Sequence, residues 1–330
     1  MNSLLNQGFL EKRIAIVILN YNSAKDLKIF LAQLISQRGA FLSFVIVDNA
    51  SQKDSVESFQ SWLASWRPDA FCGTPRQAEE WIMQYPQIAS RDKNIFFIKN
   101  SENRGFSAGN NIGIRVAEKL NVDAVLITNP DICIEGSECV ADLGRQLFSS
   151  AEFCVAVPRV LYFGKDQNPR WEPTTFWEEL FWLSPFPFAK IRRSDLTENL
   201  KPHEIDQFAG CFFMVKLDFL RKINYLDERF FLYREEAMLS VRAKTNEQKI
   251  LYVPQVCVKH ESIHSDQKSH LFLRQYHLLR SKKIFLENHT AFGALGRFLI
   301  LFFNALWALW PIFKNIFLKR TRKNEKRRQG

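Results

Sequence analysis

The sequence lacks several patterns that would place it in a common functional class. None of its six cysteines forms a C-x-x-C pair, which predicts a reduced compartment and no zinc site. It has no G-x-G-x-x-G run, which argues against a dinucleotide-dependent oxidoreductase. The start of the chain has no basic segment followed by an apolar stretch, so we expect no secretory signal.

The positive charge of the chain is concentrated at one end. The 330 residues carry a formal net charge of +10, but residues 319–330 hold seven Lys or Arg against one Glu. The remaining residues are nearly balanced. A nucleic-acid-binding domain carries its basic residues on the folded surface, so we expect no nucleic acid partner. The length suits one large α/β domain with extensions or two small domains.

Short apolar runs alternate with helical patterns through the first 130 residues. Helical spacing of apolar residues predicts helices over 24–37, 54–66 and 110–120. Residues 67–93 are polar and predict an irregular insertion. The alternation of strands and helices predicts an α/β fold, a mostly parallel sheet flanked by helices. The strands are expected at Ile14–Leu19, Phe44–Val47, Ile95–Ile98 and Ala124–Ile127.

Polar residues follow the predicted strands. Ligands of such sheets bind beyond the carboxyl ends of the strands, so Asn22, Asp48, the loop over 103–111 and Asp131 are expected to share a site. Asp48 suits a base or ribose, the loop suits a phosphate, and Asp131 suits a divalent cation. Each also has an ordinary structural alternative, as a helix cap, a helix entry or a turn residue.

Two acidic pairs and one histidine lie further along the chain. Asp227-Glu228 and Glu235-Glu236 flank an aromatic run, where an apolar surrounding or a like charge would raise the pKa of a general base. The alternative is an acidic helix N-terminus stabilised by the helix dipole. His260 follows a strand-like run and suits a metal or a phosphate, although a lone histidine is more often structural.

Seven motifs occur in order over residues 13–285. Together they resemble glycosyltransferase family 2, in particular its rhamnosyltransferase-like branch. The motifs are I-V-I-L-N-Y-N (16–22), V-I-V-D-N-A-S (45–51), N-R-G-F-S-A-G-N-N-I-G-I (103–114), N-P-D (129–131), F-A-G-C-F-F-M-V (208–215), L-D-E-R-F-F-L-Y-R-E-E (226–236) and V-K-H (258–260).

The resemblance implies an A-type glycosyltransferase fold, the Rossmann-like GT-A fold, and an inverting transfer. It implies Glu236 as the base that deprotonates the acceptor hydroxyl, with Glu235 as the acid before it. Asp131 and His260 would hold a divalent metal, Mg²⁺ or Mn²⁺, at the diphosphate. The nucleotide-sugar pocket would be lined by Asn22, Asp48, Asn103, Gly105, Asn110 and Asn129.

One departure from the family pattern supports a second hypothesis. Met238 stands where the family commonly has an acid two residues after the base. The first hypothesis is an active transferase that moves a sugar from a nucleoside diphosphate sugar to a glycan or lipid-linked acceptor, in cell-surface polysaccharide synthesis. The alternative is a weak or inactive sugar-nucleotide-binding scaffold of another transferase.

The end of the sequence predicts a hydrophobic helix and a basic tail. Residues 298–313 carry no charge, and as a helix they would extend about 24 Å, short of the roughly 30 Å hydrocarbon core. We favour a helix lying in the membrane interface, or a shallow re-entrant helix, with Trp307 and Trp310 at headgroup level and the tail on anionic lipids. A spanning helix, a terminal core helix and a dimer contact are the alternatives.

These patterns predict a domain organisation and a location. Residues 1–286 would form the transferase domain, with the 67–93 insertion and an aromatic acceptor-side loop over 162–202. Residues 287–330 would be the membrane-associating C-terminal extension. The expected partners are the donor, the acceptor and an anionic membrane surface, with a homodimer as an alternative assembly. The expected location is cytoplasmic, peripheral on the inner face of the cell membrane.

Overall fold

The computed structural model describes residues 12–169, 175–184, 201–260 and 271–309. Contacts assign these residues to two units. The first unit falls within Met1–Arg170, Leu196–Phe231 and Glu235–Ser265, and the second within Trp171–Asp195, Leu232–Arg234 and Asp266–Gly330. The domain boundary expected at residue 286 rests on sequence alone and stays a prediction.

The described residues of the first unit contain one eleven-stranded sheet. Its order is β3-β4-β2-β1-β5-β10-β7-β11-β6, with β8 beside β7 and β9 beside β11. The strands are β1 Arg13–Asn20, β2 Phe41–Asp48, β3 Phe71–Gly73, β4 Asn94–Lys99, β5 Ala124–Thr128, β6 Ile132–Ile134, β7 Phe153–Tyr162, β8 Lys165–Asp166, β9 His203–Ile205, β10 Phe212–Lys216 and β11 Lys249–His260. Strands β1 to β5 pair in parallel, whereas β10 is antiparallel to both β5 and β7. The predicted α/β fold with a mostly parallel sheet is therefore confirmed.

Helices of the first unit flank this sheet, and their apolar faces follow the helical period. On the first of them Leu27, Phe30, Leu31 and Leu34 are buried at the spacing of one helix face. The helices are α1 Ala24–Ile35, α2 Lys53–Trp66, α3 Pro75–Gln84, α4 Phe106–Lys119, α5 Cys139–Leu147, α6 Phe176–Phe181, α7 Leu217–Lys222, α8 Glu235–Thr245, α9 Leu271–His289 and α10 over 294–309. Of these, α6, α9 and α10 belong to the second unit.

The expectation that residues 67–93 are irregular is wrong. This stretch adds β3 to the edge of the sheet, in parallel with β4, and then forms α3. Thr74 caps α3 in a capping box with Gln77, and Pro75 occupies the first helical turn. Such a cap satisfies backbone N–H groups that a helix start leaves open. The T-P-R-Q run carried this signal in the sequence.

The second unit has a small apolar core and a buried polar cluster. Leu180, Leu286 and Ile300 form the core, with Phe176, Phe181, Phe292, Leu299 and Leu301 packed against it. Trp307 stacks on Phe181 within this unit. Among the described helices, none has the length and apolarity needed to cross a bilayer. Parts of two expected features, residues 170–174 and 185–200 of the aromatic loop and 310–330 of the C-terminal extension, lie outside the described residues.

Candidate active site

The carboxyl ends of β1 and β2 bring Asn20 and Asp48 side by side. They are register partners in the parallel pair, and Asn20 Nδ2 donates a 2.8 Å hydrogen bond to Asp48 Oδ1. The other oxygen, Oδ2, accepts from the backbone N–H of Ser51 at 3.0 Å. Asp48 is therefore held rigidly at the sheet edge. It does not cap the following helix, whose N-cap is Gln52.

Asn22 joins the loops that follow these two strands. Its backbone N–H donates to Ser51 Oγ at 2.8 Å, and its Oδ1 accepts from the N–H of Gln52 at 2.7 Å. Asn22 has φ of 56° and Ala50 has φ of 60°, in the left-handed region that L-residues other than Gly seldom adopt. Strain of this kind persists where surrounding contacts over-determine the backbone. The rim beside Asp48 is thus a fixed surface.

The loop before α4 is fastened to that rim. Asn49 Nδ2 donates to Asn103 Oδ1 at 2.9 Å and to the Gly105 carbonyl at 3.2 Å, and Gly105 N–H donates to Asn103 Oδ1 at 3.0 Å. The first helical N–H, that of Phe106, donates to the carbonyl of Phe231 at 2.7 Å. One of the backbone N–H groups at the start of α4, which were expected to bind a phosphate, therefore already donates to Phe231.

Gly105→Ala is expected to lower the free energy of unfolding by about 2 kcal/mol or more, because it combines strain at φ of 96° with a clash. A Cβ here would lie 2.3 Å from the Phe231 carbonyl oxygen. Gly136→Ala is the matched control, since Gly136 has φ of 86° and nothing within 4 Å of its added Cβ. Urea unfolding measures both. Equal losses would show that close approach to Phe231 does not constrain the loop.

Asp131 and His260 form a pair at the same edge. His260 Nε2 lies 3.4 Å from Asp131 Oδ2, and His260 Nδ1 lies 3.2 Å from Gln167 Oε1. The pairing of β6 with β11 sets this arrangement, because Ile132 is the register partner of His260. Asp131 Oδ1 is buried and has no hydrogen-bond partner among the described residues. A buried carboxylate oxygen without a partner is costly and suits a cation.

The protonation of His260 depends on its neighbours. Burial lowers its pKa, but hydrogen bonds with the Asp131 carboxylate and with Cys211 outweigh burial and raise the pKa to about 10. These hydrogen bonds stabilise the protonated imidazole. A divalent cation would compete with that proton. Gln167 orients the ring through Nδ1, as residues behind a metal ligand commonly do.

Glu236 lies in the first turn of α8 and is only 5% exposed. Gly210 packs against its carboxylate, since a Cβ at position 210 would lie 3.6 Å from Glu236 Oε2. The next residue, Cys211, accepts through its carbonyl from the N–H of Asn129 at 3.0 Å. Because Gly210 and Cys211 are adjacent, these contacts place Glu236 at the same edge of the sheet as Asn129, which precedes Asp131 by two residues. Glu235 occupies the same helical turn.

The other acidic pair has structural partners. Asp227 Oδ2 lies 2.7 Å from Arg229 Nη2 and 3.1 Å from Arg242 Nη2. Burial raises the pKa of Asp227, but hydrogen bonds from Arg229 and the charges of both arginines lower it below the usual value. Glu228 accepts from Asn111 Nδ2 at 3.0 Å. These ion pairs stabilise the charged form of Asp227 and argue against a role for it as general base.

Two further residues of the predicted pocket differ in exposure. Asn110 is fully buried, donates to the Phe106 carbonyl at 3.0 Å, and has no partner for Oδ1 among the described residues. Asn129 is partly exposed at the end of β5. Asn129 is thus the more accessible of the two, and a nucleotide contact for either stays a prediction.

Sequence reasoning did not single out several residues that organise this edge. Asn20 and Asn49 hold Asp48 and the loop before α4, as described above. Gln167 bonds His260, and the neighbouring Asn168 accepts from the N–H of Ala209 at 2.7 Å and donates to the Pro158 carbonyl at 2.8 Å. The sequence could have indicated Asn20, because a polar residue at the end of a buried strand is expected at the site. No such pattern marks Gln167 and Asn168, which lie in a loop.

The sequence of the chain is similar to that of a characterised transferase. No family model matches the chain. It is 29% identical over 238 residues to the low-salt glycan biosynthesis hexosyltransferase Agl10 of Haloferax volcanii. The match covers 70% of this chain and 61% of the length of that relative.

The structure resembles solved glycosyltransferases over most of its length. The mannosyltransferase PcManGT from Pyrobaculum calidifontis, in complex with GDP-Man and Mn²⁺, superposes with a TM-score of 0.51, covering 94% of this chain and 78% of that one at 14% identity. GalNAc-T7 with UDP, GalNAc and Mn²⁺ also gives 0.51, covering 92% and 57% at 13% identity. The fold is that of the A-type glycosyltransferases. At these identities the likeness concerns the fold alone.

Proposed function

We propose that the protein is a glycosyltransferase that moves a hexose from a nucleoside diphosphate sugar to an acceptor hydroxyl. One observation carries the proposal: Asp131 with an unpartnered buried oxygen, His260 and Glu236 gather at the carboxyl edge of an A-type sheet. Ligands of α/β sheets bind at this edge. The similarity to a hexosyltransferase supports the same reaction.

The residues at this edge fit a divalent cation. Asp131 and His260 would supply an oxygen and a nitrogen, and the described residues contain no group of three or more His, Cys, Asp or Glu placed to hold a metal ion. Mg²⁺ typically takes one or two carboxylates and completes its shell with substrate phosphates and water. When bound, Mg²⁺ or Mn²⁺ would neutralise charge on the leaving diphosphate.

The residues of the chain divide the work of an inverting displacement. Asp131 and His260 would hold the cation on the diphosphate side of the site. The fixed rim for the nucleotide is formed by Asp48, Asn22, Asn103 and Gly105. Strand β2, which ends at Asp48, lies two strands from β5, which precedes Asp131, a separation of about 10 Å between the strands. Glu236, or Glu235 beside it, accepts the proton of the attacking hydroxyl, so that this oxygen bonds the anomeric carbon as the diphosphate departs on the opposite face.

A thermal-shift panel tests the proposal. GDP-mannose, UDP-glucose, UDP-N-acetylglucosamine and dTDP-rhamnose are added to the full-length protein with MnCl₂, MgCl₂ or EDTA. At least one donor should raise Tm with a metal and not with EDTA, because a ligand at 100 times its Kd stabilises by about 2.7 kcal/mol. Absence of any shift across the panel would contradict sugar-nucleotide binding.

Asp131→Asn is expected to weaken metal-dependent donor binding by about tenfold or more, because the amide keeps the shape but loses the charge that favours the cation. Titration of the donor from the panel by calorimetry, with and without MnCl₂, measures the loss. Asp54→Asn is the control, since Asp54 is exposed on the first turn of α2. Unchanged metal dependence in Asp131→Asn would remove Asp131 from the site.

Finer features of the proposal rest on the resemblance and on the C-terminal sequence. We place the enzyme in the rhamnosyltransferase-like branch of glycosyltransferase family 2, with a glycan or lipid-linked acceptor in cell-surface polysaccharide synthesis. We also place it on the inner face of the cell membrane, with residues 162–202 on the acceptor side. Incubation of the purified protein with a donor and lipid-linked sugar acceptors would test these assignments, with formation of the glycosylated product as the measurement.

A sugar-nucleotide-binding scaffold is the second candidate. Its support is Met238, an apolar residue two positions after Glu236 where the resemblance leads us to expect an acid. Met238 is buried among core residues of the first unit, so an acid is not accommodated there without a partner. A scaffold would bind the donor in the thermal-shift panel and release no nucleoside diphosphate on addition of any acceptor.

A further inference from the structure

Helix α10 is apolar on both of its faces. Ile300, Asn304 and Ala308 are buried, and Asn304 Nδ2 donates inward to the carbonyls of Glu179 and Leu180. The opposite face is exposed, with relative accessibilities from 39% to 72%. That face carries Leu295, Phe298, Phe302, Leu306 and Leu309.

This distribution differs from that of an ordinary surface helix. Such a helix turns polar residues to water and apolar residues to the core. In α10 the polar Asn304 points inward, and the outward stripe contains only Leu and Phe. Large exposed apolar patches mark sites that bind a partner or a membrane.

Helix α9 extends the exposed surface. Phe272, Leu273 and Tyr276 are exposed on it. A groove of about 370 Å³ lies between the two helices, with cations and apolar side chains in its lining. The groove is lined by Tyr276, Leu279, Arg280, Lys283, Leu301 and Ala305. We call the outward stripe of α10, the exposed apolar residues of α9 and this groove the docking face.

We propose that the docking face inserts into the surface of an anionic lipid bilayer, with α10 lying in the plane of the membrane. This inference rests on the peripheral location proposed above and names the surface responsible. Leu and Phe side chains enter the acyl boundary, while Arg280 and Lys283 meet lipid phosphates. The sequence after 309 continues to the segment 319–330 with its seven Lys or Arg, which adds charge of the same sign.

A second copy of the chain fits the docking face less well. A two-fold interface would join the same patch from both copies, so it would gather Arg280 and Lys283 of both chains. Like charges brought together at an interface oppose association. An anionic bilayer satisfies the apolar stripe and the cations together.

Vesicle flotation of the full-length protein tests the proposal. The protein should float with phosphatidylcholine vesicles containing phosphatidylglycerol, and less with phosphatidylcholine alone. Phe298→Gln/Phe302→Gln/Leu306→Gln should partition at least about tenfold more weakly, because three apolar side chains no longer enter the acyl boundary. All three are exposed in the structure, so the variant should keep its circular dichroism and Tm.

The matched control is Ile29→Gln/Met83→Gln/Tyr85→Gln, three exposed apolar residues of the first unit. It should float like the unchanged protein. Equal flotation of the two triple variants, or no flotation of the unchanged protein, would overturn the proposal. If the unchanged protein does not float, and light scattering shows that it is a dimer which only the α10 variant converts to a monomer, the docking face would be assigned to a second copy of the chain. Flotation needs no donor, so its failure is separable from failure of the transferase proposal.

Discussion

Glu236→Gln is expected to lower turnover by about 100-fold or more while donor affinity stays unchanged. The amide has nearly the shape of the carboxylate but accepts no proton from the acceptor hydroxyl. Donor binding should survive, because the diphosphate side of the site is assigned to Asp131 and His260. Release of the nucleoside diphosphate from the donor identified by thermal shift measures turnover, and calorimetry measures affinity.

Two variants in the same region serve as references. Glu247 is exposed just beyond the end of α8, so Glu247→Gln should keep full turnover. Glu235→Gln tests the neighbouring carboxylate, and a larger loss there than in Glu236→Gln would transfer the base to Glu235. Equal turnover of Glu236→Gln and the unchanged enzyme would remove Glu236 from the chemistry. Donor binding without turnover in the unchanged protein would favour the scaffold.

The sequence located the candidate site because strand ends in a parallel sheet share an edge. Asp48 and Asp131 follow buried apolar runs, and such runs predict strands whose carboxyl ends meet. The structure confirms those strands, with boundaries that differ by up to three residues at the start and by one residue at the end. Helix α4 begins at Phe106 rather than at 110. Gly105 sets this start, because only glycine fits its contact with Phe231.

Long-range partners could not be predicted from the sequence. Gln167 reaches His260 across 93 positions, and Asn49 reaches Asn103 across 54. No local spacing records such pairs, since they depend on how separate loops fold together. The same holds for Asp227, whose acidic pattern suggested a base. Its partner Arg242 lies on the following helix, and that pairing makes it a structural anion.

The second unit was the least predictable part, because its apolar residues surround charges. Lys282 is fully buried, and its Nζ lies 2.8 Å from Glu179 Oε2, 2.9 Å from the Glu179 carbonyl and 3.1 Å from Asn304 Oδ1. Arg234 Nη2 contacts the same carboxylate at 3.2 Å. Charged residues in an apolar pattern are usually assigned to the surface, since burial without a partner is costly. Here the partners come from three separate segments.

Lys282→Met is therefore expected to destabilise the second unit by about 3 kcal/mol or more, because removing one partner of a buried ion pair leaves the other inadequately compensated. Methionine fills similar space, so the loss reports on charge rather than on a cavity. Lys283→Met is the matched control on the next position of α9. Lys283 is exposed and lies 3.9 Å from Glu287, a pair worth about 0.5 kcal/mol or less.

Urea unfolding followed by tryptophan fluorescence compares the two variants. Trp182 suits this readout, because its ring lies 4.5 Å from Lys282 Nζ and 4.4 Å from the Arg234 guanidinium. The fluorescence transition should move to lower urea in Lys282→Met and stay in place in Lys283→Met. If both transitions coincide, the ion cluster does not stabilise this unit, and its apolar core of Leu180, Leu286 and Ile300 must hold α9 and α10 together without it.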